Sequence, residues 1–151
     1  MRVVVTTVRD ARVEINKEVV GAIDKGYLLL VGFTEGDNEY IIRKMIDKII
    51  GLRIFPDENG KTNLSIKDVN GDILSVSQFT LYADVSGGRR PSFVNAMRPD
   101  EATKMYDLFN EILEKEFEKK IQKGVFGADM DVYNINEGPF TLLLDSNEVV
   151  K

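Results

Sequence analysis

Neither histidine nor cysteine occurs in this chain of 151 residues. Together the two absences exclude more chemistry than the rest of the composition does. Without imidazole or thiol there is no Ser-His-Asp relay and no Cys-His pair. No soft or borderline ligand is left for a transition metal, so any bound metal would have to be a hard cation on carboxylates. No carboxylate cluster has ligand spacing; Asp129 and Asp131, alternating on an expected strand, come nearest. No metal and no cofactor is therefore implied. The lack of cysteine also excludes disulfides and makes the cytosol the expected compartment. No apolar run approaches the ~20 residues that a membrane helix needs, and the strand-like Met1-Arg2-Val3-Val4-Val5 is too short for a secretion signal. With a net charge of −5 the chain is not a broad electrostatic nucleic-acid binder, although a local basic patch is compatible with it.

What is present reads as one globular domain. Hydrophobic residues make up 43% and charged residues 30% of the chain, an ordinary balance for a soluble protein able to bury a core. Val3 to Val8 reads as a strand, and Ala11–Ile15 and Glu18–Ile23 as a hairpin across Asn16-Lys17. Tyr27–Phe33 is apolar on both faces and therefore central. Asp37 is placed to cap a first helix, in which Ile41, Ile42, Met45, Ile46, Ile49 and Ile50 recur at three- and four-residue spacing. Leu52–Phe55 reads as a short strand, and Asn63–Val69 as irregular or a single helical turn. A second helix begins at Pro99-Asp100-Glu101 and is expected to reach Lys123-Gly124. Val125–Ile135 and Phe140–Leu144 read as strands on either side of an Asn136–Pro139 turn. Several strands joined by short turns, with only two main helices, predict an α+β fold. Its sheet should be mixed, mainly antiparallel and curved into a barrel-like core with the helices outside. The domain is expected to span 1–145, with 146–151 a loosely ordered tail.

The stretch Asp72–Tyr82 carries the most information. It reads as a strand buried on both sides, with Ser77, Gln78 and Thr80 in its middle. Unpartnered buried hydroxyls and amides cost about 1–3 kcal/mol each, so these three either bond to neighbouring backbone or line a polar pocket. After it, Ala83–Phe93 contains Gly87, Gly88, Arg89, Arg90 and Pro91 and is the one plainly basic stretch. It is either a surface turn or a loop that binds phosphate or carboxylate through the arginine forks.

Ser77-Gln78-Phe79-Thr80-Leu81, taken with Asn136-Glu137-Gly138-Pro139-Phe140-Thr141, resembles the paired signature of the D-aminoacyl-tRNA deacylases. Leu52-Arg53-Ile54-Phe55, Gly88-Arg89-Arg90-Pro91-Ser92-Phe93 and Phe126-Gly127-Ala128-Asp129-Met130 extend the resemblance over nearly the whole chain. Each motif is weak alone; in this order the set is specific. The resemblance implies a homodimer, with active sites at the subunit interface, acting on the aminoacylated 3′ end of tRNA. It implies hydrolysis of the ester of a D-amino acid or glycine. It further implies a cis Gly138-Pro139 peptide reaching into the partner's site to present carbonyls to the substrate ammonium. Ser77, Gln78, Phe79 and Thr80 would form the opposing catalytic wall, and Phe126, Ala128 and Met130 the lining nearby. Arg89, Arg90 and Lys61 are candidates for contacting the tRNA. Two departures from the family stand out: Phe140 lies where Val is usual, and Thr6-Thr7 lies where many members carry a Gln-Arg pair whose Arg is taken to brace the Gly-Pro turn.

For the chemistry, the residues leave two routes. Thr80 could attack as a nucleophile, or a positioned water could attack with backbone N–H groups near Phe79 and Thr80 holding the oxyanion; for the second route the resemblance implies that the substrate 2′-hydroxyl assists proton movement. The water route is favoured, because no base stands beside Thr80. Three rival functions remain: a non-catalytic binder of RNA ends, an esterase for small D-amino-acid derivatives, and a deacylase clearing mischarged L-aminoacyl-tRNA.

Overall fold

The computed structural model describes residues 1–151. Strands β1 (Arg2–Ile15) and β2 (Glu18–Gly32) form one long hairpin. Its turn is the expected one: Asn16 and Lys17 adopt φ of 51° and 66°, the paired left-handed geometry that matches strand twist. The segments read separately on each side of the turn are continuous strands. Helix α1 (Glu39–Gly51) leads to a small antiparallel pair, β3 (Arg53–Pro56) and β4 (Thr62–Ser65). Strand β5 (Asp72–Ser77), helix α2 (Pro99–Phe117), β6 (Gln122–Lys123), β7 (Asp131–Asp145) and α3 (Ser146–Val149) complete the chain.

The main sheet has the order β6-β5-β2-β1-β7. Its β2-β1-β7 part is antiparallel, whereas β5 pairs parallel with β2 and β6. The α+β class is therefore as expected. The sheet curls strongly: Val13 and Ile23, from the distal half of the hairpin, pack with Leu28, Leu74 and Val76 in a second, smaller core. No hydrogen-bonded ladder joins its edges β6 and β7, so the expected barrel-like closure is not found.

Alternation along the central strands explains the two cores. Val3, Val5, Tyr27, Leu29, Val31 and Ile73 face α1 and α2, meeting Ile42, Met45, Ile46, Ile49, Phe109, Ile112 and Leu113 in the main core. Leu28, Leu74 and Val76 point the other way. Both faces of β2 and β5 are covered, hence their unbroken apolar runs.

Several expected boundaries are corrected. Helix α1 is capped by Asn38, whose Oδ1 accepts from Ile41 N at 3.1 Å. Asp37 instead turns inward, accepting from Thr34 N and the Met1 amine at 2.8 and 2.6 Å. Helix α2 stops at Phe117, where Glu118 turns left-handed at φ 58°; Ile121 is buried beyond its end. Val125–Met130 is a loop, not the first half of a strand. The tail is docked, since Ser146 opens α3, is buried, and bonds the amine and carbonyl of Met1.

Two further corrections shape the site. Strand β5 ends at Ser77, and Phe79–Tyr82 is a 3₁₀ turn rather than more strand. The chain leaves the sheet over Gly32, where a Cβ would lie 2.8 Å from the Gln78 carbonyl oxygen. A side chain there would forbid the turn. Likewise, Asn136–Pro139 is not a turn between two strands, because β7 runs continuously through it. Pairing with β1 passes from Thr6–Thr141 to Val8–Asn136. Thr7 alone thus faces residues 137–140, which bulge out of the edge strand.

Candidate active site

Beyond the end of β5 lies an open cavity of about 280 Å³. Ser77, Gln78 and Phe79 form one side, and Phe126, Ala128 and Met130 of the loop before β7 the other. Six of the nine expected catalytic and substrate-binding residues are thereby brought together. Thr80 stands one step outside on the 3₁₀ turn, exposed, its Oγ1 accepting from Gln78 Nε2. The expectation that Ser77, Gln78 and Thr80 are buried in a strand is thus wrong. Ser77 and Gln78 are half-buried, and Phe79 is 51% exposed. The buried hydroxyl of this strand is Ser75, whose Oγ donates to Tyr106 Oη at 3.3 Å while its carbonyl accepts from Tyr106 Oη at 2.8 Å. That carbonyl also accepts from Gly124 N at 3.0 Å, tying the end of β5 to the segment that leads to Phe126. Burial pushes the Tyr106 hydroxyl pKa up, against its hydrogen bonding with Ser75.

The 3₁₀ turn has no side-chain cap at Gln78, so the N–H groups of Phe79 and Thr80 have no partner within it. Arg2 fixes the far end of the turn. Its guanidinium donates to the Leu81 carbonyl at 2.9 Å and to Asp145 Oδ2 at 2.8 Å, and lies 4.7 Å from the centre of the Tyr82 ring. Asp129 is the one ionisable side chain lining the cavity. Sequence reasoning placed Asp129 on a strand and weighed it, with Asp131, only as a weak metal ligand, since alternation there hid the loop that carries it to the cavity.

Gly138 and Pro139 lie elsewhere. Both are exposed on the bulge of β7, and the peptide between them is cis. Gly138 has φ 129°, and a Cβ there would lie 3.0 Å from Phe140 N. The bulge is held at its neck. Thr7 Oγ1 donates to the Glu137 carbonyl at 2.8 Å, Phe140 N donates to Asn136 Oδ1 at 3.0 Å, and Asn136 Nδ2 donates to Thr141 Oγ1 at 3.0 Å. Thr7 therefore makes one bracing bond at the neck of the bulge. Phe140 packs against the main core, and with Ile54, Phe55, Lys25 and Gly138 it lines a separate cavity of about 230 Å³.

The sheet register shows how far apart the two motifs are. Ser77 pairs with Val31, Val31 with Val3, and Val3 with Leu144, whereas the bulge faces Thr7. Three strand spacings and four residues put them roughly 14 Å apart across the sheet and roughly 13 Å along it. One chain does not bring its own Gly138-Pro139 to its own Ser77–Phe79. Arg89 and Arg90 are exposed in a loop closed by the reciprocal Asp84–Ser92 pair. Lys61 is exposed in the β3–β4 turn beside Thr62, which lines the Gly138 cavity. The two arginines thus lie in one loop and Lys61 in another, and none of the three lines either cavity.

An apolar row crosses the sheet face opposite the helices. Leu143 is 61% exposed, and its cross-strand partners Val4 and Leu30 are half-buried. The row ends at Val76, in the wall of the first cavity.

This α+β domain, with a hydroxyl- and amide-lined cavity and no imidazole or thiol, belongs to the D-Tyr-tRNA(Tyr) deacylase family, which matches residues 4–145. A Lactobacillus gasseri protein named D-aminoacyl-tRNA deacylase is 56% identical over 146 residues, 96% of this chain and 99% of that one. Among solved structures, one titled c-Myc DNA Unwinding Element Binding Protein superposes with a TM-score of 0.91 at 39% identity, covering 96% of this chain and 98% of the other. A probable eukaryotic D-amino acid tRNA deacylase shares the fold, with a TM-score of 0.82 at 18% identity, covering 95% and 97%. No helix is long and apolar enough to cross a membrane.

Proposed function

We propose that the protein hydrolyses the ester bond of D-aminoacyl-tRNA and glycyl-tRNA in the cytoplasm, as a homodimer in which each active site is shared. Ser77, Gln78 and Phe79 facing Phe126, Ala128 and Met130 across one cavity is the observation that carries the proposal. Water attacks the ester carbonyl carbon, and the resulting oxyanion is held by the free N–H groups of Phe79 and Thr80. The bond to the ribose 3′ oxygen then breaks. The substrate's 2′-hydroxyl passes the proton from the water to that oxygen, releasing free amino acid and tRNA. Thr80 does not attack, since no lysine or histidine stands beside it to take its proton. Positioning provides most of the catalysis, as suits an ester that is already reactive.

Chirality is selected by exclusion. Gly138 and Pro139 of a second copy hold the substrate ammonium through their carbonyls, leaving room for a D side chain and a clash for an L one. The in-chain separation of the two motifs supports a second copy. So does the Leu143–Val4–Leu30 row, which a partner can cover while meeting the wall of the cavity. Arg89, Arg90 and Lys61 contact the tRNA. A broad grip on duplex DNA is not favoured, because Asp and Glu outnumber Lys and Arg by 25 to 20.

A deacylation panel tests the reading. The protein should release amino acid catalytically from D-tyrosyl- and glycyl-tRNA and spare L-tyrosyl-tRNA. Binding without release, faster cleavage of a simple D-ester, or equal cleavage of the L form would each overturn it.

A further inference from the structure

Between β5 and α2 the core is polar where an apolar one would serve. Ser75, Tyr106 and Asn110 are all buried there. Ser75 stands two residues before Ser77, on the face of β5 that meets the helices. Tyr106 and Asn110 lie one turn apart on α2 and so share the face that packs onto it. The Ser75 carbonyl oxygen uses both of its acceptor sites, taking Tyr106 Oη at 2.8 Å and Gly124 N at 3.0 Å. Gly124 opens the segment that forms the opposite wall of the first cavity, with Phe126 two residues on. The Tyr106 ring reaches the same wall, its centre 6.1 Å from that of Phe126 with the planes at 47°. A Cβ on Gly124 would lie 2.6 Å from Met130 Sδ, so the far end of this wall packs onto Gly124. One carbonyl and one phenol thus join the strand that ends in Ser77 to the loop that carries Phe126 and Met130.

Stability does not account for this arrangement. Asn110 Oδ1 and Nδ2 are buried without a partner, a cost that an aliphatic residue would avoid. A buried hydrogen-bonded pair also adds little over an apolar pair of the same shape. Polar bonds supply instead a single arrangement, where aliphatic side chains repack. We propose that Tyr106 is a positioning residue for ester hydrolysis: its hydroxyl fixes the end of β5 against the Phe126–Met130 wall and keeps the Phe79 and Thr80 N–H groups aimed at the oxyanion. The inference rests on the deacylase reading. Tyr106 does not line the cavity and acts through Ser75. Donors aimed at a developing charge lose their effect when displaced by a fraction of an ångström. The loss of this bond therefore falls on the chemical step and not on the affinity for tRNA.

Tyr106→Phe keeps the ring and removes the hydroxyl. Single-turnover release of D-tyrosine from D-tyrosyl-tRNA, measured well below the melting midpoint, should slow about fivefold, one ordinary hydrogen bond lost from the transition state. The Kd for uncharged tRNA should stay at the wild-type value. Adding Asn110→Leu deletes the two unpartnered atoms, so the double variant should melt above Tyr106→Phe and be just as slow. A wild-type rate in Tyr106→Phe would make the hydroxyl an ordinary core contact and overturn the proposal. A rate that recovers together with the midpoint in the double variant would do the same. A raised Kd at an unchanged rate would move Tyr106 from chemistry to binding and also overturn it. If the wild-type protein releases no amino acid, the deacylase reading itself fails; an active wild type with an equally fast Tyr106→Phe sinks this inference alone.

Discussion

Replacing Thr7 with Val removes one oxygen at the neck of the β7 bulge and almost nothing else. Thr7 is buried, its hydroxyl donates to the Glu137 carbonyl at 2.8 Å, and Val fills the same volume. The carbonyl belongs to an exposed residue and can turn to water, so the net loss is that of an ordinary intramolecular hydrogen bond, about 1 kcal/mol. In a domain of this length 1 kcal/mol lowers the thermal midpoint by about 2–4 °C. If the bulge places the chiral filter, the same loss falls on the transition state that it positions, and the D-to-L ratio of kcat/KM drops about fivefold. Thr7→Ser keeps the donor and should hold the ratio while losing some stability through its missing methyl group. The assay is paired: a melting curve, and initial rates on D- and L-tyrosyl-tRNA. A lowered midpoint with an unchanged ratio would refute the reasoning, since the hydroxyl would then be a core contact with no hold on selection.

Other outcomes follow from the same geometry. Gly138→Ala puts a Cβ 3.0 Å from Phe140 N at φ 129°, a strain of about 1–3 kcal/mol; discrimination or rate should fall while the far-ultraviolet dichroism stays native. Thr80→Ala should retain most single-turnover deacylation, and loss of the chemical step with tRNA binding intact would instead make Thr80 the nucleophile. Burial opposes ionisation of Asp145, but the bonds from Arg2 and Asn147 N outweigh it and hold the pKa below its ordinary 3.8. A carboxylate depressed on folding stabilises the protein above the unfolded value, and that stabilisation is lost as pH falls through the folded one. Asp145→Asn should therefore lower the unfolding midpoint at pH 7, with the gap to wild type closing in acid below about pH 3.8.

Periodicity made much of this fold legible. The two-faced run Tyr27–Phe33, the Asn16-Lys17 turn and the isoleucine stripe of α1 all sit where the pattern puts them. The failures share a cause, which is contact with residues distant in sequence. Alternation through Phe79–Tyr82 continues a strand on paper, yet the bare Cα of Gly32, forty-odd residues upstream, lets the chain turn out of the sheet. The bulge at 137–140 reads as a turn because its pairing with β1, on either side of Thr7, spans some 130 residues. Ile121 keeps the helical spacing although α2 has already ended, since burial alone satisfies the pattern. At the site, composition excluded mechanisms but assigned no role. The proposed pairing of Ser77–Thr80 with Gly138-Pro139 rests on the resemblance, because the two motifs lie apart in the folded chain.

Mixing a cavity variant with a bulge variant, each first shown to have lost activity alone, tests most directly whether an active site is shared between subunits. Gln78→Ala damages the cavity and Gly138→Ala the bulge, and the subunits can be unfolded together and refolded at equal amounts. With random pairing into symmetric dimers, half the dimers are mixed and each of those holds one intact site, so about a quarter of wild-type deacylation should return. If the mixture stays as inactive as its parts while mixed dimers are present, each chain must serve its own site, and the shared-site reading is wrong.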